Sequence, residues 1–216
     1  MNALTDDQLA AVETEDIAAL TNAQFSGLSA ATIATLSTDQ IVAMTTAQSA
    51  AMTTVQISSL TSAQLNSLNV ANLAALDTAQ IRALSGDQLE TLDADQFARM
   101  DTADIAAISS AQISYLTTAA IAALTTSQIV AVSTSALNAM SSAQIGAIEN
   151  ADVALLTTAQ LVALSTVQVM RLTTDQLPVM TTAQLNALTT TQVAALTTDQ
   201  LESMGTAQIA ALNFAA

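Results

Sequence analysis

Thr45-Thr46-Ala47-Gln48-Ser49-Ala50-Ala51-Met52 is followed without a break by Thr53-Thr54-Val55-Gln56-Ile57-Ser58-Ser59-Leu60, and the same eight-residue pattern continues in both directions. Every eighth residue from Leu4 to Leu212 is Leu, Met, Val or Ile, with no insertion or deletion between them. Two large apolar side chains per octad cannot enclose a core alone, so the units must stack on their neighbours as tandem repeats do. Residues 1–216 therefore read as a single array of about 27 units.

The residue types within the octad predict its local structure. The first position is Ser, Thr, Asp or Asn in 24 of 27 octads, the exceptions being Glu13, Glu149 and Gly205. These side chains accept a hydrogen bond from the free N–H groups of a helix's first turn. Three residues later stands Gln in 19 of 26 octads, so Thr45 with Gln48 and Thr53 with Gln56 read as capping boxes. The large apolar residues follow at the fifth and eighth positions, as in Ile57 and Leu60. That spacing puts them on one face of a single helical turn.

Two alternatives fail on geometry. A continuous α-helix advances about 800° per octad, so its apolar pair would drift by about 80° per repeat and wind around the rod. In a strand, residues with odd spacing point to opposite faces. The expected fold is all-α, a solenoid or superhelix of very short capped helices, one per octad and each about five to seven residues long. Helices that short are unstable alone and need neighbours. Leu, Ile and Ala are expected inside, with Thr, Ala, Asp and Gln outside. Ala is frequent at the seventh position, as at Ala107, Ala123 and Ala195, where backbones are expected to approach closely. Gly is nearly absent from the octad boundaries, so the turns must be made by Ser, Thr, Asp and Asn in extended geometry. Pro178 removes an N–H inside a predicted helix and predicts a locally distorted turn rather than a domain boundary.

Composition narrows the function. Three Arg, no Lys and 18 Asp or Glu give a net charge of -15. Such a surface repels nucleic acids and anionic membranes. Without Cys or His there is no disulfide framework and no ordinary zinc site. No run of apolar residues is long enough for a transmembrane helix, and the start, MNALTDDQLAAVETED, has no signal-peptide pattern. A cysteine-free acidic chain suits export, with the cytoplasm as the alternative. The last octad, from Asn213, is incomplete and no capping sequence is evident at either end, which reads as a piece of a longer array with ends open to end-to-end association.

Departures from the repeat are where specific function would show. The densest acidic stretch, Asp87, Glu90, Asp93, Asp95, Asp101 and Asp104, offers hard-cation ligands, but Asp93 and Asp101 fall on cap positions and Asp95 and Asp104 near helix N-termini, where negative charge is favourable anyway. Ser49 is the one break in the fifth-position apolar column and reads as a packing defect, because no His or Lys exists to activate it. Phe25 and Phe97 are oversized core residues, Phe214 is a third single Phe, and Arg99, Tyr115 and Arg171 share the seventh column. The last three mark a loose outer side or a contact edge. The second-position Thr rank, including Thr118, Thr126, Thr158 and Thr182, is explained by the first helical position. No catalytic, cofactor-binding or metal site is assigned, and the repeat predicts no enclosed pocket.

The tandem motif LTTAQLVAL at 156–164 and MTTAQLNAL at 180–188 resembles octapeptide arrays of very large bacterial proteins, many of them secreted or surface-associated. The resemblance covers essentially the whole chain and implies a stalk or spacer between functional domains. A protein-, peptide- or glycan-binding role at the superhelix edge or groove is the alternative, and weak cation binding around 87–104 a lesser one.

Overall fold

A computed structural model describes residues 1–214. Ala215 and Ala216, which end the incomplete octad, lie outside the described residues. The fold is all-α, with 25 α-helices and one 3-10 helix among the described residues, following the octad along the chain. The helices run from four residues, as in Ser110–Ile113, to six, as in Thr54–Ser59, so the longest expected length is not reached. The eighth residue explains the shortfall. In the Thr54–Ser59 helix Leu60 has ψ 133, already extended, and Thr53 before that helix has φ -75 and ψ 157. One extended pair thus ends a helix and caps the next, and none of the described residues has a positive φ.

Contacts divide the chain into two compact units, Met1–Ala107 and one that begins at Ile108. In each, a helix packs against the helices three octads before and after it. In the first unit Thr54–Ser59 lies against Ala30–Thr35 and Thr78–Ala83; in the second Thr134–Ala139 lies against Ser110–Ile113 and Thr158–Ala163. Each unit is therefore a tightly wound solenoid of capped short helices, closing a superhelical turn between three and four octads.

The fifth and eighth residues fill the axis. Ile57, Leu65, Ile81, Ile129, Leu137 and Leu161 are fully buried, with Leu60, Leu84 and Leu124 nearly so. Fully burying such a side chain contributes about 1.5–3 kcal/mol, which offsets the poor intrinsic stability of one-turn helices. Pro178 has the expected local effect: its octad forms the 3-10 helix Leu177–Val179 in place of an α-helix, while Thr173 and Gln176 still exchange their capping bonds.

One expectation is corrected. Gln8 and Gln24 are exposed, but Gln is not otherwise an outer-edge residue: Gln48, Gln56, Gln128, Gln160 and Gln192 are at most 2% exposed.

Candidate functional site

The buried Gln is the chemical centre of the octad. Gln168 illustrates it. Its Oε1 accepts the backbone N–H of Ser165 at 2.8 Å, and its own backbone N–H donates to Ser165 Oγ at 3.2 Å. That is the capping box expected from the spacing. Its Nε2 then donates to the carbonyls of Leu137 at 3.0 Å and Met140 at 2.8 Å. Those acceptors are the fifth and eighth residues of the octad four units earlier: the Leu137 carbonyl also takes the Met140 N–H, whereas the Met140 carbonyl lies past the helix end, where no intrahelical partner is left for it. One side chain thus satisfies the start of its own helix and the end of another.

The clamp recurs in both units. In the first, Gln40 reaches Leu9 and Val12, Gln48 reaches Ile17 and Leu20, and Gln88 reaches Ile57 and Leu60. In the second, Gln144 reaches Ile113 and Leu116, and Gln184 reaches Val153 and Leu156. Leaving a buried donor or acceptor unpaired costs about 1–3 kcal/mol, so the column is a major determinant of stability. Gln8 and Gln24, which have no octad four units behind them, form only the capping box.

Seven octads lack Gln, and the substitutes meet its absence in several ways. Asn72 is shorter and delivers Nδ2 to the Met44 carbonyl alone, at 2.8 Å. Thr32 leaves the N–H of its cap, Ser29, to be satisfied by Asn2: Asn2 Oδ1 accepts from Ser29 N–H at 2.8 Å and from the Thr32 hydroxyl at 3.1 Å, while Asn2 Nδ2 donates to the Gly27 carbonyl at 2.9 Å. Asn2 thus stands in for the missing Gln of that octad. Asp152 is buried and accepts the Thr126 hydroxyl at 2.8 Å. Asp104 is buried too, and its carboxyl is raised to about 6, by desolvation first and then by the Asp101 charge. A hydrogen bond from the Asp101 backbone opposes that shift and Asp77 adds to it. Ala120 and Ala136 are buried without a polar group, and Asp16 is exposed.

The other candidates from the sequence are dispersed. Asp93 caps the helix Ala94–Ala98 through the N–H of Gln96 at 2.8 Å, and Asp87, Glu90, Asp95 and Asp101 are exposed while Asp104 is not. Among the described residues no group of three or more His, Cys, Asp or Glu could hold a metal ion. Ser49 is fully buried and its Oγ has no hydrogen-bond partner. Its helix, Thr46–Ala51, packs on Asn22–Ser26, where the same fifth position holds the fully buried Phe25. The smallest and the largest members of the core column thus sit on neighbouring helices. Phe97 is likewise fully buried, whereas Phe214, Tyr115, Arg99 and Arg171 are exposed.

The outer surface differs between the units. No charged residue occurs between Asp104 and Glu149, and in the second unit Val130, Leu155, Val162, Val167, Met170 and Val179 are exposed. Val162 lies in a shallow groove with Thr134, Thr158, Ala159 and Ala187. Among the described residues no helix is long and apolar enough to cross a membrane.

Comparison with curated proteins gives no match. The model of the ALTTAQ repeat matches residues 9–46, 17–54, 71–101, 97–134, 145–182 and 178–213. The Thr, the Gln and the apolar residues of that motif are the cap, the clamp and the core described above, and with most of its length matched the chain belongs to the ALTTAQ repeat family.

Proposed function

We propose that this chain is a structural spacer, a stiff stalk segment in a large bacterial surface or exported protein. The observation that carries the reading is the Gln clamp: the recurring polar chemistry of the octad is spent on joining octads four units apart, as in Gln168 with Leu137 and Met140. A repeat whose recognition groups are buried offers reach by addition of units. The period passes Ala107 and Ile108 in phase, which supports treating 1–216 as one array. Small-angle scattering of the chain beside variants shortened by four and by eight octads tests this. A spacer loses maximum dimension in proportion to the octads removed, and a nearly constant dimension overturns the proposal.

A second reading, a protein-, peptide- or glycan-binding edge, is favoured by the exposed apolar groups of the second unit, Val130, Leu155, Val162, Val167, Met170 and Val179. Isolated exposed apolar residues are ordinary, whereas a contiguous patch marks an interaction surface. End-to-end association of copies would draw on Gln8 and Gln24, whose side-chain amides have no clamp acceptor. Sedimentation velocity across a hundredfold concentration range separates that association from a monomer.

A further inference from the structure

Asp104 occupies the column whose two tasks are to accept the N–H of the cap and to donate to the octad four units earlier. It performs the first, taking the backbone N–H of Asp101. The second needs a hydrogen that a carboxylate does not have. Length is not the obstacle. Asn72 has a side chain of the same length in the same column, and its Nδ2 reaches the Met44 carbonyl, 28 residues back, at 2.8 Å. The corresponding carbonyl for Asp104 belongs to Leu76, which follows the helix Val70–Ala74 in the first unit.

We propose that Asp104 is an acid-operated latch, whose protonated carboxyl donates to the Leu76 carbonyl and so joins the helix Thr102–Ala107 to the Asn69 octad as Asn72 joins its own octad to Met44. The surrounding charges set the pH at which it closes. The helix packed against Thr102–Ala107 is Thr78–Ala83, which brings Asp77 at its cap and Arg82 in its last turn. Asp101 opens the latch's own octad, and Asp95 and Arg99 belong to the preceding one. Asp101 and Asp77 both disfavour a second negative charge at Asp104, as does burial. Asp152 also replaces Gln and is buried, and there a side chain of another octad, the Thr126 hydroxyl, donates to the carboxylate.

The sign follows from linkage. A carboxyl whose folded-state value is about 6 against an ordinary 3.8 binds its proton more tightly folded than unfolded, so its contribution to stability is complete below the ordinary value and is lost as pH rises through about 6. Carboxyl-detected NMR titration of the full chain, with thermal unfolding of the parent, Asp104→Gln and Asp104→Asn between about pH 4.5 and pH 7.5, tests the latch. Asp39→Asn, on an exposed site, controls for general charge removal. The latch predicts that Asp104 titrates near pH 6, above the usual carboxylate range. It also predicts that Asp104→Gln and Asp104→Asn lose part of the acid-induced rise in melting temperature, while Asp39→Asn keeps it. Titration of Asp104 in the ordinary range, or an undiminished acid-induced rise in both Asp104 variants, overturns it.

Discussion

From the Thr157 octad to the Gly205 octad the fourth position is Gln seven times in succession, and each of the seven donates to the fifth and eighth carbonyls of the octad four units earlier. From the Asp101 octad to the Glu149 octad, Gln alternates with Asp104, Ala120, Ala136 and Asp152. Helices form in both stretches, and their fifth and eighth residues are buried equally well around Ile121 and Leu161. The difference separates two roles that the repeat unites. Cap and apolar pair decide where a helix starts and which face it buries, and the Gln decides how firmly octads four apart are tied.

The largest expected effect breaks both stretches at once. One residue inserted between Leu116 and Thr117, or between Leu164 and Ser165, moves the cap, the clamp and the core pair out of phase together. Excision of all eight residues Thr117 to Leu124 keeps the phase. In urea unfolding, either insertion is expected to abolish the cooperative transition of the unit it falls in, while the excision shifts the midpoint only modestly. Equal losses would show that phase is not what holds the array.

Next in size is removal of one clamp. Gln168→Ala strands the Ser165 N–H and the Met140 carbonyl and leaves the Leu137 carbonyl with the Met140 N–H alone, and at about 1–3 kcal/mol for each unpaired buried group it should cost about 2 kcal/mol or more in chemical denaturation. Gln24→Ala removes only a capping contact and should cost about 1 kcal/mol. The comparison can also be sharpened from the other side. Asp152→Gln places an amide where the Ile121 and Leu124 carbonyls stand in the position of clamp acceptors, and should stabilise by about 1 kcal/mol after loss of the Thr126 bond.

Smaller still is Ser49→Ala, which removes a buried hydroxyl without a partner and is expected to stabilise by about 1 kcal/mol. Ser49→Ile should instead destabilise through crowding, by about 1–3 kcal/mol, and Phe25→Leu should relieve part of that loss in a double-mutant cycle. At the bottom of the scale, Asn186→Ala on the exposed outer side should change stability by less than about 0.5 kcal/mol.

The octad made the helices legible because caps and apolar pairs act within eight residues. Thr45 with Gln48, Ile57 with Leu60 and the distortion at Pro178 were all readable from spacing. The burial of Gln was not. A capping box alone accounts for Gln at the fourth position, and the further partners of Gln48, the carbonyls of Ile17 and Leu20, are backbone groups that leave no mark in the sequence. For the same reason Asp104 read as a favourable carboxylate near a helix start, although its position in the Gln column buries it. The number of octads per turn escaped as well, because a pair three residues apart fixes a helix face without fixing which distant helix covers it. Ser49 stood out as a break, but its pairing with Phe25 depends on that spacing of three octads.

Exchange of the Gln side-chain amide hydrogens tests the clamp most directly, because it observes the donating group itself. Gln168 and Gln24 share the same capping box, and only Gln168 has acceptors four octads behind it. The account predicts that the Gln168 amide hydrogens exchange with solvent orders of magnitude more slowly than those of Gln24, which should be close to the rate of a free side chain. Equal rates for the two would contradict the claim that the buried Gln column holds the array together.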